Sequence, residues 1–194
     1  MAWYSDWDYR KLVTIAGQAG AGTNYQVKLK VGESSGSTSF DFHVENHAIA
    51  FPSAINTSGD LRFTDNDGST LLSFWVESVT GTTPNRLATI WVKVADTLES
   101  NANIYCYYGK SGASEASNGA NTFILFNDGT SLTGLTDVTA EGAGLTWSIN
   151  SNKIRGTSDG ASAGAVLYFD ASTGLNNYRV EVQIQAQDGL TADN

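Results

Sequence analysis

One cysteine, two histidines and two prolines in 194 residues remove several chemistries at the outset. Cys106 has no partner within the chain, so neither a disulfide framework nor a thiolate metal site is expected. It lies inside the apolar stretch Ile104–Tyr108 with nothing basic beside it, which predicts a small buried hydrophobe rather than a reactive thiol. His43 and His47 are four apart and would share a helix face, but no helix is predicted around them and no glutamate stands in an HExxH frame, so zinc is not expected. Basic residues are also few, 11 against 20 acidic, and the formal charge of −9 with no Lys/Arg stripe would repel a phosphate backbone. Nucleic acid is therefore an unexpected partner. No stretch approaches the ~20 consecutive apolar residues of a membrane span, and Met1-Ala2-Trp3 leads into polar and aromatic residues rather than an apolar leader. Neither a signal peptide nor membrane insertion is expected. A GxSxG elbow, a phosphate-binding glycine loop and a Cys–His pair are all missing, and no acids cluster in a strand, so no catalytic residues are assigned and no enzyme is expected.

What is present is β-structure. Twenty glycines against two prolines, with Ser, Thr, Asn and Ala between apolar stretches, describe many strands joined by turns. Tyr9–Ile15 is an opening strand and Tyr25–Val31 alternates at period two. Four motifs between positions 59 and 110 follow: Gly59-Asp60-Leu61-Arg62-Phe63, Phe74-Trp75-Val76-Glu77, Trp91-Val92-Lys93-Val94 and Ile104-Tyr105-Cys106-Tyr107-Tyr108-Gly109. Asp65-Asn66-Asp67-Gly68 between strands is the chemistry of a hairpin turn. Asp65 and Asp67 also offer oxygens at alternate positions, a weak calcium candidate, yet the twelfth position counted from Asp65 is Val76 rather than a bidentate acid. No cofactor is otherwise implied. Residues 40–51 read equally as a strand or an irregular excursion.

The Ser, Ala, Gly and Asn of residues 110–121 resemble a boundary. They divide a β-sandwich module over 1–121 from a second segment over 122–194 with strands at Leu145–Ile149, Ala165–Phe169 and Tyr178–Ile184. Three or four strands in so short a segment make only half a sandwich, so the second unit is expected to be incomplete, or completed by another chain. The fold class expected is all-β: an antiparallel, jelly-roll-like β-sandwich followed by part of a second one.

The order of these motifs, opened by Trp7-Asp8-Tyr9-Arg10-Lys11 and including Leu72 ahead of Trp75 and Glu77, resembles the family catalogued as domain of unknown function 2341 over roughly residues 1–127. Residues 40–58 depart from the pattern. Asn118-Gly119, Phe123 and Phe126-Asn127-Asp128 resemble the family's closing segment and the entry into a concanavalin A-like sandwich. The resemblance implies a module of bacterial, archaeal or phage surface and envelope proteins; it implies no established activity.

Residues two apart in a strand share a face, so Trp75 with Glu77, Trp91 with Lys93 and Tyr105 with Tyr107 would stand on one sheet surface if their strands are neighbours, with Arg62 beside them. Such a surface can bind sugars, the rings stacking on pyranose faces. The same side chains also suit scaffold packing, with Arg62 and Glu77 as an internal ion pair, and packing is the reading they favour. Trp3, Tyr4 and Trp7 precede the first strand and would either clamp onto the domain or dock on a neighbouring subunit. Two roles are thus expected: a structural or host-recognition component of a virion or surface assembly, forming homo-oligomers, or a carbohydrate-binding adhesion module. Other protein subunits or surface glycans are the expected partners, on a virion or an extracellular surface.

Overall fold

The computed structural model describes residues 4, 6–139, 145–151, 153–158 and 165–169. Seven strands build the first unit: β1 (Tyr9–Ile15), β2 (Tyr25–Gly32), β3 (Phe42–His43), β4 (Arg62–Thr64), β5 (Phe74–Thr80), β6 (Leu87–Val94) and β7 (Ala102–Tyr108). They form a three-stranded sheet in the order β1-β7-β4 and a four-stranded sheet in the order β3-β2-β6-β5. All pairings are antiparallel except the short β2–β3 contact at Val31–Phe42 and Gly32–His43. The all-β antiparallel sandwich expected from the turn chemistry is what forms.

Alternation explains which residues fill it. On β7, Ala102, Ile104, Cys106 and Tyr108 point into the core, against Val13 and Ile15 of β1, Leu29 and Val31 of β2, and Ala88, Ile90, Val92 and Val94 of β6. Phe63 and Phe74 meet edge to face at 5.2 Å across the two sheets. A β-bulge between Val76 and Ser78 makes Glu77 the extra residue of β5, so Val76 and Val79 both reach the core while Glu77 stays on the outer face.

The ambiguous stretch after residue 40 is mostly irregular: only Phe42–His43 is strand, and the chain then loops to β4 while burying Val44, Phe51 and Leu61. Two polar clamps hold this excursion. Glu33, at the end of β2, takes Arg86 Nη2 at 2.6 Å and Nε at 3.0 Å, and Arg86 Nη1 reaches the Phe51 and Pro52 carbonyls. The second clamp is Asp60, described below.

Residues 110–121, read as a boundary, lie along the first unit. Asn118 N donates to the Phe74 carbonyl and Ser117 Oγ accepts from Val76 N, so this segment covers the edge of β5. A single helical turn, α1 (Gly119–Thr122), follows, capped by Asn118, whose Oδ1 accepts from Asn121 N at 2.9 Å. Beyond it are two antiparallel pairs, β8 (Leu135–Thr139) with β11 (Ala165–Phe169) and β9 (Leu145–Ile149) with β10 (Ile154–Ser158). β9 and β11 are the expected strands; β8 and β10 are additional. Tyr178–Ile184 lies outside the described residues. Among the described residues no helix is long and apolar enough to cross a membrane.

Candidate functional site

The outer face of the three-stranded sheet carries Tyr105 and Tyr107 from β7 and Arg62 from β4, and it is roofed by the chain's own start. Trp7 is 7% exposed and forms a second buried cluster with Tyr105 and Tyr107, with Tyr4 packed at its side, 4.8 Å from the Trp7 ring. Tyr107 is fully buried; its hydroxyl donates to the Gly68 carbonyl at 2.9 Å and accepts from Arg10 Nη1 at 3.1 Å. The Arg10 guanidinium lies 4.5 Å from the Tyr105 ring, while Arg62 and Lys110 approach Trp7 at 5.4 and 4.3 Å. Arg62 is itself buried, its Nη1 donating to the Leu61 carbonyl at 2.6 Å and its Nη2 to the Ser114 carbonyl. Burial lowers its pKa, opposed by the nearby carboxylate of Glu115.

Asp60, immediately before β4, ties four parts of the chain together. Its Oδ2 accepts from Ile49 N, Gly109 N and Lys110 N at 2.8, 2.8 and 3.1 Å, and its carbonyl accepts from Trp7 Nε1 at 2.7 Å. The residue is fully buried, and its Oδ1 has no hydrogen-bond partner. Gly59 beside it holds φ +53°, and a Cβ there would run into the Ala50 carbonyl. The clamp thus requires glycine.

The outer face of the four-stranded sheet is a separate surface. Trp75 and Trp91 are directly opposite across β5 and β6. Trp91 Nε1 donates to Glu77 Oε2 at 2.7 Å, and Lys28 of β2, opposite Trp91 in register, reaches the same carboxylate at 3.0 Å while lying 4.9 Å from the indole. Lys93 follows two residues on, opposite Gln26. Here the roof is the segment after α1. Phe123 meets both indoles edge-on at 5.8 and 5.5 Å, Phe126 meets Trp75 at 4.9 Å, and Trp75 Nε1 donates to Asn56 Oδ1, whose amide in turn donates to Asp128 at 2.9 Å. Gly119 leaves space for Phe126, since a Cβ there would overlap its ring.

The seven residues expected on one face are therefore divided: Trp75, Glu77, Trp91 and Lys93 on one sheet, Arg62, Tyr105 and Tyr107 on the other. The reason is topological, because β6 and β7 adjoin in sequence but belong to different sheets. Arg62 and Glu77 do not pair; Glu77 takes Lys28 and Arg62 takes carbonyls. Trp7 and Tyr4 close onto their own domain, and Trp3 lies outside the described residues. Phe123 and Phe126, assigned from sequence to the second segment, belong physically with the first. Asp65 and Asp67 sit in the expected turn: Asp65 Oδ1 accepts from Asn66 N, and Asp67 accepts from Ser69 N, Thr70 N and Thr70 Oγ1. Thr70, through its hydroxyl and then its N–H, draws the Asp67 carboxyl down to about 2. His43 accepts from Glu45 N whereas His47 stacks on Tyr9 at 4.4 Å, so they turn to different neighbours. Among the described residues no three His, Cys, Asp or Glu side chains gather as a metal site. Burial drives the Cys106 thiol pKa strongly upward. Sequence reasoning missed Asp60 as a clamp, the Glu33–Arg86 pair and the Phe123–Phe126 roof; a Gly-Asp dipeptide ahead of a strand is the one local signal any of them leaves.

Residues 57–150 match the family described as Domain of unknown function (DUF2341). The matched stretch contains Asp60, Arg62, both indoles and the aromatic roof, and it runs across the expected boundary at 121. Comparison with curated proteins and with solved structures gives no match.

Proposed function

We propose that this chain is a non-enzymatic structural module of a surface assembly, a virion structural or host-recognition component displayed as a rigid β-sandwich ahead of a second, lectin-like unit. One observation carries the reading: the large aromatics on both outer faces are packed under the chain's own segments, with Trp7 over Tyr105 and Tyr107, and Phe123 with Phe126 against the indoles. The indole N–H groups of Trp7, Trp75 and Trp91 and the Tyr107 hydroxyl are spent on internal partners. Those side chains then supply rigidity, and recognition is left to edges and loops. A homo-oligomer is the form this role predicts. The mass of the full chain by light scattering tests it: a defined multimer supports the assembly role, and a monomer at every concentration contradicts it.

A second reading, carbohydrate binding on an extracellular surface, draws on one feature. Trp75, Phe123 and Phe126 remain only partly buried, and Asn56 and Asp128 stand beside them as hydrogen-bonding groups. A glycan array separates the readings: binding that Phe126→Ala abolishes while the fold survives favours the sugar site, and silence across the array removes it.

A further inference from the structure

Arg62 is a buried cation whose hydrogen bonds reach no carboxylate. Nη1 donates to the Leu61 carbonyl at 2.6 Å and, at 3.4 Å, to the Gly59 carbonyl and Ser58 Oγ, while Nη2 donates to the Ser114 carbonyl. The acids whose charge acts on it are engaged elsewhere: Glu115 Oε1 accepts from Ser58 N, Ala116 N and Ser117 N, and Asp60 Oδ2 accepts from Ile49 N, Gly109 N and Lys110 N. A buried charge is normally paired, and burial already lowers the pKa of this one. Its Nε has no hydrogen-bond partner among the described residues yet is not enclosed, since Asp60 Oδ1 is the one enclosed side-chain atom among them that lacks a hydrogen bond.

Arg62 lines a pocket of about 170 Å³ between the stretch Leu71–Phe74 and the crossing segment that carries Asn118 and Asn121. Register explains what meets there. Thr64 bridges Leu71 and the Phe63 carbonyl accepts from Leu72 N, so Ser73 falls opposite Arg62 on the same outer face. Asn118 is fixed across the opening by its N–H to the Phe74 carbonyl, and its Oδ1 is used by Asn121 N, which leaves Nδ2. Ser73 Oγ, Asn118 Nδ2 and the Asn121 side-chain amide, like Arg62 Nε, have no partner among the described residues. The pocket therefore offers one guanidinium N–H, one hydroxyl and two amides, and no acidic residue lines it. We propose that it binds a small carboxylate, which supplies the counter-charge that Arg62 lacks. Guanidinium and carboxylate join by charge-assisted hydrogen bonds. The volume lies below the roughly 300 Å³ at which sites for drug-sized ligands begin, so it admits a small acid. The formal charge of −9 repels anions in general, and selective uptake is thus a property of this pocket rather than of the overall field.

Thermal unfolding of the full chain tests it, with sodium acetate exchanged for sodium chloride at constant ionic strength. A saturable rise in Tm is expected, with a midpoint on the order of millimolar for so small a ligand. Ser73→Asp sets a tethered carboxylate beside Arg62; it is expected to unfold at a higher temperature than the parent without acetate and to lose the acetate response. Asn121→Ala, at an exposed position, is expected to keep the fold and to weaken acetate binding several-fold. If Ser73→Asp fails to fold, Asn121→Ala decides. A Tm that acetate does not raise above its value in chloride overturns the proposal, and so does an acetate response that Asn121→Ala leaves at full strength.

Discussion

Asp60 joins distant parts of this fold, because its single Oδ2 satisfies three backbone N–H groups from segments far apart in sequence. Removing that acceptor strands buried donors, each of which costs about 1–3 kcal/mol. Asp60→Ala is therefore expected to lower the stability measured by urea unfolding by about 3 kcal/mol or more, and Asp60→Asn by less, since one acceptor oxygen remains. Glu33 makes a pH-dependent contribution. The hydrogen bond from the Arg86 side chain holds its carboxyl below the ordinary 4.5, with burial opposing and the Arg86 N–H and charge assisting. A carboxyl whose folded pKa is depressed stabilises the fold above its unfolded value and ceases to as pH falls through the folded one. The urea midpoint should accordingly be flat in this term above pH 4.5 and decline below it, and Glu33→Gln should lower the neutral plateau and flatten the acid decline. Cys106, buried with its thiol pKa raised, should resist a thiol reagent in the native protein and react promptly once urea unfolds it.

At the scale of elements, the two roofs act as clasps. Trp7→Ala removes a large buried ring and its bond to the Asp60 carbonyl, with an expected loss of about 3–5 kcal/mol in chemical unfolding. Phe126→Ala uncovers a partly buried Trp75, and its expected signature is greater acrylamide quenching of native tryptophan emission with a smaller stability loss. Unchanged quenching would mean that the segment after α1 does not cover the sheet. These elements also show where sequence reading succeeds. Tyr9–Ile15 and Tyr25–Gly32 were legible because the alternation of apolar and polar residues is local, and Asp65–Gly68 because its turn chemistry is local too. The division of Tyr105 and Tyr107 from Trp75 and Trp91 was not, since which sheet a strand joins is decided by long-range pairing. Residues 110–121 did not show their packing for a related reason: small polar residues that look like a linker also suit a segment that lies flat along β5, with Gly119 leaving room for Phe126.

The whole molecule is a sandwich whose outer-face aromatics are largely covered by its own segments, and it carries a formal charge of −9 that keeps copies apart unless a specific contact joins them. Association between copies should therefore strengthen with salt, as the general repulsion between acidic chains is screened. The most direct single measurement is the mass of the full chain by light scattering over a dilution series. A multimer that dissociates on dilution is predicted; the mass of one chain at every concentration would contradict the account.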